Sequence, residues 1–473
     1  MRLPYRFSAL NRLILRDLND IGAANPSFFK YTKDQIASFL KDPYQNQKSL
    51  RDASIFLYNS SSHFRRLIQY FAALTDFAYV ITPVQTNVNS GNKEQLKKQF
   101  NKYGALLTGM DIRNQFRKII KVCFREDTFY GTFRASKNNV ILQQLPSDYC
   151  NIAVVENGVL NVSFDFSYFD SNGQALSMYP EEFSAKYELY RANRTSMKWQ
   201  ELDSPNSFAI KCNDDILSYS IPPFVGVFRE VYDLEDYKAL KLTKTELENY
   251  AMLVMRLAMN SNGEYAIPYN KAVDFWKNLD NVLPEEIGSV LSPMSIEKIS
   301  FEKKNGTGEA DPIALAAQQL YSAAGVSSLL FNNEKANGNA LLLSIKADQA
   351  MTFSIVQSIE GAINRFLQSY SYGKKFKLTF LDSSPYNRKE LGEMYLKACQ
   401  YGMPFASHFC AVQGLSQYEM DAMNYFEDEV LDIKSRFVPL QSSNTQSSKD
   451  KGRPRKELDE LSASGEASQE RTD

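Results

Sequence analysis

The 473-residue chain holds two histidines, His63 and His408, and five cysteines, Cys123, Cys150, Cys212, Cys399 and Cys410. Imidazole is the usual general base near neutral pH, and thiolate is the usual soft ligand or nucleophile. Here neither is grouped. His63 lies in Ser61-Ser-His-Phe-Arg-Arg66 and His408 in Phe405-Ala-Ser-His-Phe409, and both read as packing or surface residues. There is no His-Glu-x-x-His pair, no Cys-x-x-Cys, and no Gly-x-x-x-x-Gly-Lys-Ser/Thr phosphate loop. Gly306-Thr-Gly308 lacks a third glycine and reads as a joint. The pairs Asp214-Asp215 and Glu285-Glu286 read as solvated charge. The sequence therefore predicts no metal site, no cofactor and no enzymatic turnover.

What the residues do offer is polar and non-covalent. Phe331-Asn332-Asn333-Glu334-Lys335-Ala336-Asn337-Gly338-Asn339 interrupts two strongly helical patterns. The first opens at Asp311-Pro312, an N-cap acid followed by proline at the first helical position. It stops near Gly325, a residue suited to the left-handed turn after a helix. The second runs from Ala340 to Tyr372, 33 residues or ~50 Å if unbroken. Its apolar stripe is Leu342, Ile345, Phe353, Val356, Ile359, Ile363 and Phe366, and Gly361 offers a place to bend. A reaching loop on a strut is one reading. A plain helix–helix turn rich in turn formers is the other. A second polar feature is Lys449-Asp-Lys-Gly-Arg-Pro-Arg-Lys456. Gly-Arg-Pro is similar to a minor-groove hook, but Lys451 stands in the first arginine position and Glu457, Asp459 and Glu460 follow. It reads as part of a solvated, disordered tail over residues 441–473, with weak contact to DNA or a scaffolding protein as an intermediate reading.

With 44% hydrophobic and 23% charged residues the chain has material for two or three domains. A formal net charge of −1 argues against gripping nucleic acid over the whole surface, so any such contact is local or weak. Scattered cysteines suggest reduced thiols. No apolar run approaches the ~20 residues of a membrane span. Arg2, Arg6, Arg12 and Arg16 could mimic a transit peptide, but Asp17 and Asp20 favour an ordinary first helix.

The positioning elements follow from periodicity. Residues 1 to about 127 read as helical: Thr32-Lys-Asp-Gln35 is a capping box closing before Pro43, a helical pattern runs from Gln47 to Leu74, and another continues through Ile112, Phe116, Ile120 and Phe124. From 128 to 232 the period switches to two. Glu156-Asn157-Gly158 is a hairpin signal, Ser171-Asn172-Gly173 is a second turn, and Phe183 to Ile216 supports further strands. Helix returns from Leu234 to Asn260, with a stripe at Leu240, Leu247, Ala251, Val254 and Ala258. Residues 261–308 read as irregular with a strand at Ile296–Phe301. Phe376–Leu381 alternates as a strand, Arg388–Tyr401 is helical, and Ser416-Gln-Tyr-Glu419 opens a last helix to about Ile433. The fold class is α+β, mainly helical, with one β-rich insertion.

The joint order of these stretches resembles the portal proteins of tailed bacteriophages, of the siphophage type from Gram-positive hosts. The resemblance is carried by Phe29–Ile36, Asp42-Pro43-Tyr44, Leu57–Phe71, Gly325–Phe331, Asn387–Glu390 with Tyr395–Ala398 and Tyr401–Pro404, and the tail Lys451–Lys456 with Leu461–Glu466. It implies a portal-like, ring-forming fold with a wing (1–232, its β-rich part at 128–232), a first stem helix (233–260), a clip (261–308), a second stem helix (309–324), a tunnel loop (325–339), a long helix with a wing strand (340–383) and wing and crown helices (384–440). It further implies a dodecameric homo-oligomer at the capsid vertex of a virion, assembled in the host cytoplasm. Its partners would be double-stranded DNA bound without sequence preference, the terminase packaging motor, scaffolding and major capsid proteins, and the head–tail connector. No membrane is implied. The loop residues Asn332, Asn333, Lys335, Asn337 and Asn339 would then touch DNA in the channel. A lone lysine among asparagines suits a cargo carrying one charge per ~1.7 Å, which a strongly basic lining would stall. Two other readings stay open: another phage structural or adaptor protein, and a nucleic-acid enzyme with an unmarked site.

Overall fold

The computed structural model describes residues 31–84, 93–135, 139–249, 251–256, 260, 266–280, 287–292, 312–331 and 338–436. The chain divides into two units, Met1–Tyr418 and Glu419–Asp473.

The first unit begins with helices set by their caps. Thr32 Oγ1 accepts the Gln35 N–H (3.2 Å) and Gln35 Oε1 accepts the Thr32 N–H (2.8 Å), which opens α1 (Lys33–Phe39). Asp42 caps α2 (Pro43–Ser60). The pattern from Gln47 to Leu74 proves to be two helices. Ser61 is extended (φ −96°, ψ 120°), ends α2, and with its hydroxyl caps α3 (Ser62–Ala72). α4 (Lys93–Gly109) and α5 (Ile112–Glu126) follow, and a strand β1 (Tyr79–Pro83) precedes them.

The β-rich part is a sheet ordered β3 (Val140–Gln144), β2 (Thr128–Ala135), β7 (Ser207–Lys211), β5 (Val159–Asp165), β4 (Cys150–Glu156), with β6 (Trp199–Glu201) also on β5. The Asn157-Gly158 turn is present, both residues at positive φ (51° and 78°), with Glu156 opposite Val159. Period-two alternation feeds two cores. Phe129, Phe133, Phe208 and Ile210 face the helices, while Tyr130, Val162, Phe164 and Ala209 face a second cluster with Phe166, Phe169, Tyr179 and Phe183. That second cluster corrects two expectations. Ser171–Gly173 joins a short helix α6 (Tyr168–Ser171) to a 3₁₀ turn rather than two strands, and Phe183 lies in a helix, α7 (Glu181–Ala192). Glu181 and Glu182 in its first turn favour helix there, and Phe183 and Tyr190, seven apart, share its buried face.

The helix expected over 233–260 is also corrected. α8 spans Phe228–Asn249, and Ala251–Arg256 is a strand, β8, paired in parallel with β9 (Ile287–Ser292). A short apolar run does not distinguish strand from helix by spacing, and here a partner strand 36 residues on decides it. Between them lies α9 (Tyr269–Asp280), so the stretch 261–308 holds regular structure. The expected strand Ile296–Phe301, Gly306-Thr-Gly308, Glu285-Glu286, Arg2 to Arg16 and the tail 441–473 lie outside the described residues.

α10 (Pro312–Ala323) packs on α8, and its Ala316, Ala317, Leu320 and Tyr321 are buried. α11 (Gly338–Gln368) is continuous through Gly361 and spans 31 residues, ~46 Å. It stops short of Tyr372 because the last turn tightens: Ser369 N–H bonds Phe366 O and Tyr370 N–H bonds Leu367 O. Along α11 the buried residues include Ile345, Val356, Ile359, Ile363 and Phe366 from the expected stripe, but not Leu342 or Phe353. β10 (Phe376–Phe380) pairs antiparallel with β1 and buries Phe376, Leu378 and Phe380 as its alternation predicts. α12 (Arg388–Gln400) ends at Gly402 (φ 81°), and α13 (Ala406–Gln413) follows. α14 (Gln417–Tyr425) carries the chain into the second unit, where a π turn (Phe426–Val430) and α15 (Ile433–Arg436) have no buried residue among those described.

Candidate functional site

The connection between α10 and α11 starts from a well-satisfied helix end. Gly325 takes φ 75°, its N–H bonds Ser322 O (3.0 Å), and the Val326 N–H reaches back to Tyr321 O (3.0 Å). A 3₁₀ turn (Ser328–Leu330) delivers Phe331, whose ring stacks on Tyr321 at 4.0 Å and 10° and meets Tyr70 edge-on at 5.5 Å. Tyr70, on α3, donates its hydroxyl to Asp348 Oδ2 on α11 at 2.7 Å. One side chain thus touches both the turn that ends at Phe331 and the helix α11. Burial pushes the Tyr70 hydroxyl well above its ordinary range, and Tyr321 up to about 12. Burial also raises the Asp348 carboxyl, against the bond from Tyr70. All three tyrosine and phenylalanine rings therefore act as neutral, apolar packing with one directed hydrogen bond.

Behind the loop, α11 is fixed along its length. Lys346 Nζ meets Glu390 Oε2 at 2.7 Å, Gln349 donates to Ser384 Oγ, and Thr352 Oγ1 donates to Phe71 O (3.1 Å). Glu360 accepts the Phe380 N–H (2.8 Å) and pairs with Lys377 (3.2 Å). The buried Asn364 amide binds both backbone groups of Leu378, donating to its carbonyl (2.8 Å) and accepting from its N–H (2.9 Å). Arg365 donates to Asn161 Oδ1 and Ser207 O on the sheet. Gly361 is a packing position: a Cβ there would stand 3.4 Å from Val159 Cγ2 of β5.

Of the residues expected to reach from the loop, Asn332, Asn333, Lys335 and Asn337 lie outside the described residues. Asn339 does not belong to the loop. Gly338 and Asn339 already form the first turn of α11, and Asn339 is exposed there. Tyr70, Tyr321 and Asp348 were missed as loop residues, because only the tertiary contact, 278 residues apart for Tyr70 and Asp348, unites them. The histidines pack as expected. His63 lies 6.2 Å from the Tyr321 ring, and burial, helped by Lys238, holds its imidazole low. His408 sits against Phe405 (4.9 Å) and Tyr395 (5.3 Å), also lowered by burial. Among the described residues no group of three or more His, Cys, Asp or Glu could hold a metal ion, and no helix is long and apolar enough to cross a membrane.

No protein-family model and no curated protein matches the chain. Among solved structures it is similar to a chain in the neck of an empty gene transfer agent particle computed with C6 symmetry. The TM-score is 0.43 at 12% identity, over 74% of this chain and 94% of that one. Chains from the virion of a native gene transfer agent particle (TM-score 0.42, 14% identity, 78% and 93% covered) and from the neck of a native particle computed with C12 symmetry (0.42, 13%, 78% and 94%) are similar at the same level.

Proposed function

We propose that this chain is a tailed-phage portal protein: a structural subunit that assembles into a dodecameric ring at the capsid vertex and conducts double-stranded DNA during packaging and ejection. The observation that carries the reading is the hairpin of α8 and α10. The chain leaves through α8, builds a small α/β module containing β8, α9 and β9, and returns through α10 packed on α8. We read α8 and α10 as the two stem helices and the module between them as part of the clip, in keeping with the stem–clip–stem order that the sequence resemblance implies. The clip would dock the terminase motor and later the head–tail connector, and the wing would meet scaffolding and capsid proteins. The chain performs no catalysis of its own in this reading.

The connection 332–337 would be the tunnel loop. Lys335 would supply a single cation to the passing phosphates, and the asparagines exchangeable hydrogen bonds. Size-exclusion chromatography with light scattering, followed by negative-stain imaging, tests the proposal. A closed ring with a central opening is expected. A strict monomer at every protein and salt concentration would overturn it.

A further inference from the structure

The chain as a whole balances 54 Lys and Arg against 55 Asp and Glu, but α5 does not. This helix carries five cations, Arg113, Arg117, Lys118, Lys121 and Arg125, and a single acid, Glu126. Glu126 is buried and taken by Arg125. Asp127, the next residue, is buried against Lys211, and Asp111, before the helix, is held by the Asn114 amide at 2.9 and 3.0 Å. The apolar face of α5 lies in the core, so helical spacing turns the cations outward: Arg113, Arg117 and Lys118 are exposed, and Lys121 and Arg125 are half-buried. Among the described residues no carboxylate pairs with Arg117, Lys118 or Lys121. Arg113 donates to Gly414 O (3.2 Å), a neutral partner. The strip continues beyond the helix: Arg125 lies 5.3 Å from the Tyr58 ring, and Arg65 of α3 lies 5.8 Å from the same ring.

A solvated surface ordinarily intersperses both signs of charge. The helix α7 and the turn after it do so, pairing Lys186 with Glu182, Arg191 with Glu188, Arg194 with Asp170 and Lys198 with Asp165. The α5 face has one sign only. We infer that it is a docking surface for the phosphate backbone of double-stranded DNA. Spacing and chemistry select that partner. Arg113, Arg117, Lys121 and Arg125 recur at every fourth residue, ~6 Å apart, so the row runs ~18 Å, over which one strand presents about five phosphates. An acidic protein would need an apolar centre from which water is excluded, and the strip offers none. A membrane surface would need apolar side chains to bury, and those of α5 face the core. A single strand would need open aromatic faces for its bases, and Tyr58 is covered by the guanidiniums of Arg65 and Arg125. Contact of this kind carries no sequence information. The inference rests on the charge and geometry of α5 and not on the ring reading.

The test titrates the full chain into a fluorescently labelled duplex of ~30 base pairs, read by anisotropy from ~50 to ~200 mM salt. The logarithm of the affinity should fall linearly with the logarithm of the salt concentration. The combined variant Arg117→Gln, Lys118→Gln, Lys121→Gln should make that slope shallower by about 2.7, which is ~0.9 for each cation removed. It should weaken binding by roughly tenfold or more at ~100 mM salt, equally for duplexes of unrelated sequence. None of the three side chains has a carboxylate partner, so circular dichroism and thermal unfolding should match the parent. A second variant, Arg191→Gln, Arg194→Gln, Lys198→Gln, removes the same charge from paired positions and should keep the parent's affinity and slope. The inference falls if the α5 variant keeps the parent's slope, or if the second variant loses as much. It also falls if a single strand of equal length binds more tightly than the duplex, or if polyglutamate displaces the duplex as effectively as unlabelled duplex does. A chain that never forms rings but shows the expected change of slope would support this inference and sink the ring reading. Rings together with an unchanged slope would do the reverse.

Discussion

Asn364 is the sharpest test of α11 as a fixed strut. Beside the Glu360 contacts to Phe380 and Lys377, its amide bonds that helix to β10 and satisfies two backbone groups of Leu378 with one side chain. Replacing it by Leu keeps the size and removes both bonds. Leu378 lies in a strand whose other partner is β1, and its residue is fully buried, so water does not readily replace the lost partners. Each orphaned backbone group costs ~1–3 kcal/mol. The added apolar burial returns ~1 kcal/mol, leaving a net loss of about 2–4 kcal/mol. Urea unfolding followed by far-UV circular dichroism measures the loss. Hydrogen exchange localises it, because the Leu378 amide should lose protection well beyond its neighbours. Asn364→Asp refines the argument. It keeps the acceptor for the Leu378 N–H but sets a carboxylate oxygen against the Leu378 carbonyl. Its deficit should therefore be greater at pH 7 than near pH 4, where a protonated carboxyl regains a donor. A cost below ~1 kcal/mol for Asn364→Leu, with unchanged Leu378 exchange, would refute the claim that this amide holds the helix to the sheet.

Three further outcomes are expected. Asp127 and Lys211 form a fully buried pair (0% and 1% side-chain exposure) where α5 turns into β2, and Asp127 also accepts the Asn213 (2.9 Å) and Ile221 (3.1 Å) N–H groups. Lys211→Met should cost ~3–5 kcal/mol, and adding Asp127→Asn should recover part of it in a double-mutant cycle by urea unfolding. Burial lowers the His63 imidazole, so the unfolded chain binds its proton first as pH falls, and stability should decline from about pH 7 to pH 5. His63→Gln should flatten that decline in thermal unfolding across the range. Replacing residues 332–337 with a four-residue Gly-Ser linker, while keeping Phe331 and Gly338, should leave assembly intact and reduce DNA packaged or retained per particle. Loss of assembly would remove the loop from the channel.

What the sequence made legible is what local physics decides. Pro312, Gly325, Asn157-Gly158 and the alternation of Phe376, Leu378 and Phe380 act within a few residues, and each stands where its chemistry puts it. The misreadings are non-local. Ala251–Met255 carried a helical stripe and became strand because Ile287–Ser292 pairs with it. Phe183 kept its burial but on a helix, since a second core under the sheet needed a covering element rather than another strand. Between α10 and α11 the sequence drew attention to the polar residues and missed the foot, because Tyr70, Tyr321 and Asp348 are unremarkable until three helices bring them together.

That foot bears on how a conduit loop would carry load. Phe331 before the loop and Asp348 after it both rest on Tyr70, so the two ends are tied to α3 as well as to their own helices. A pull on the loop from moving cargo would then pass into the buried core around Phe71 and Phe124, whose rings stack at 4.5 Å, rather than spreading α10 from α11. The two ties differ in kind. The Tyr321–Phe331 stack is apolar and indifferent to salt, and the Tyr70–Asp348 bond is directed and partly desolvated. Tyr70→Phe removes only the second, at a cost of ~1–2 kcal/mol. It should leave ring assembly and the Phe331 stack in place while loosening the first turns of α11, read as faster hydrogen exchange from 341 to 348. An effect spread evenly over α10 and α11 would mean that the two helices, and not Tyr70, hold the loop at its base.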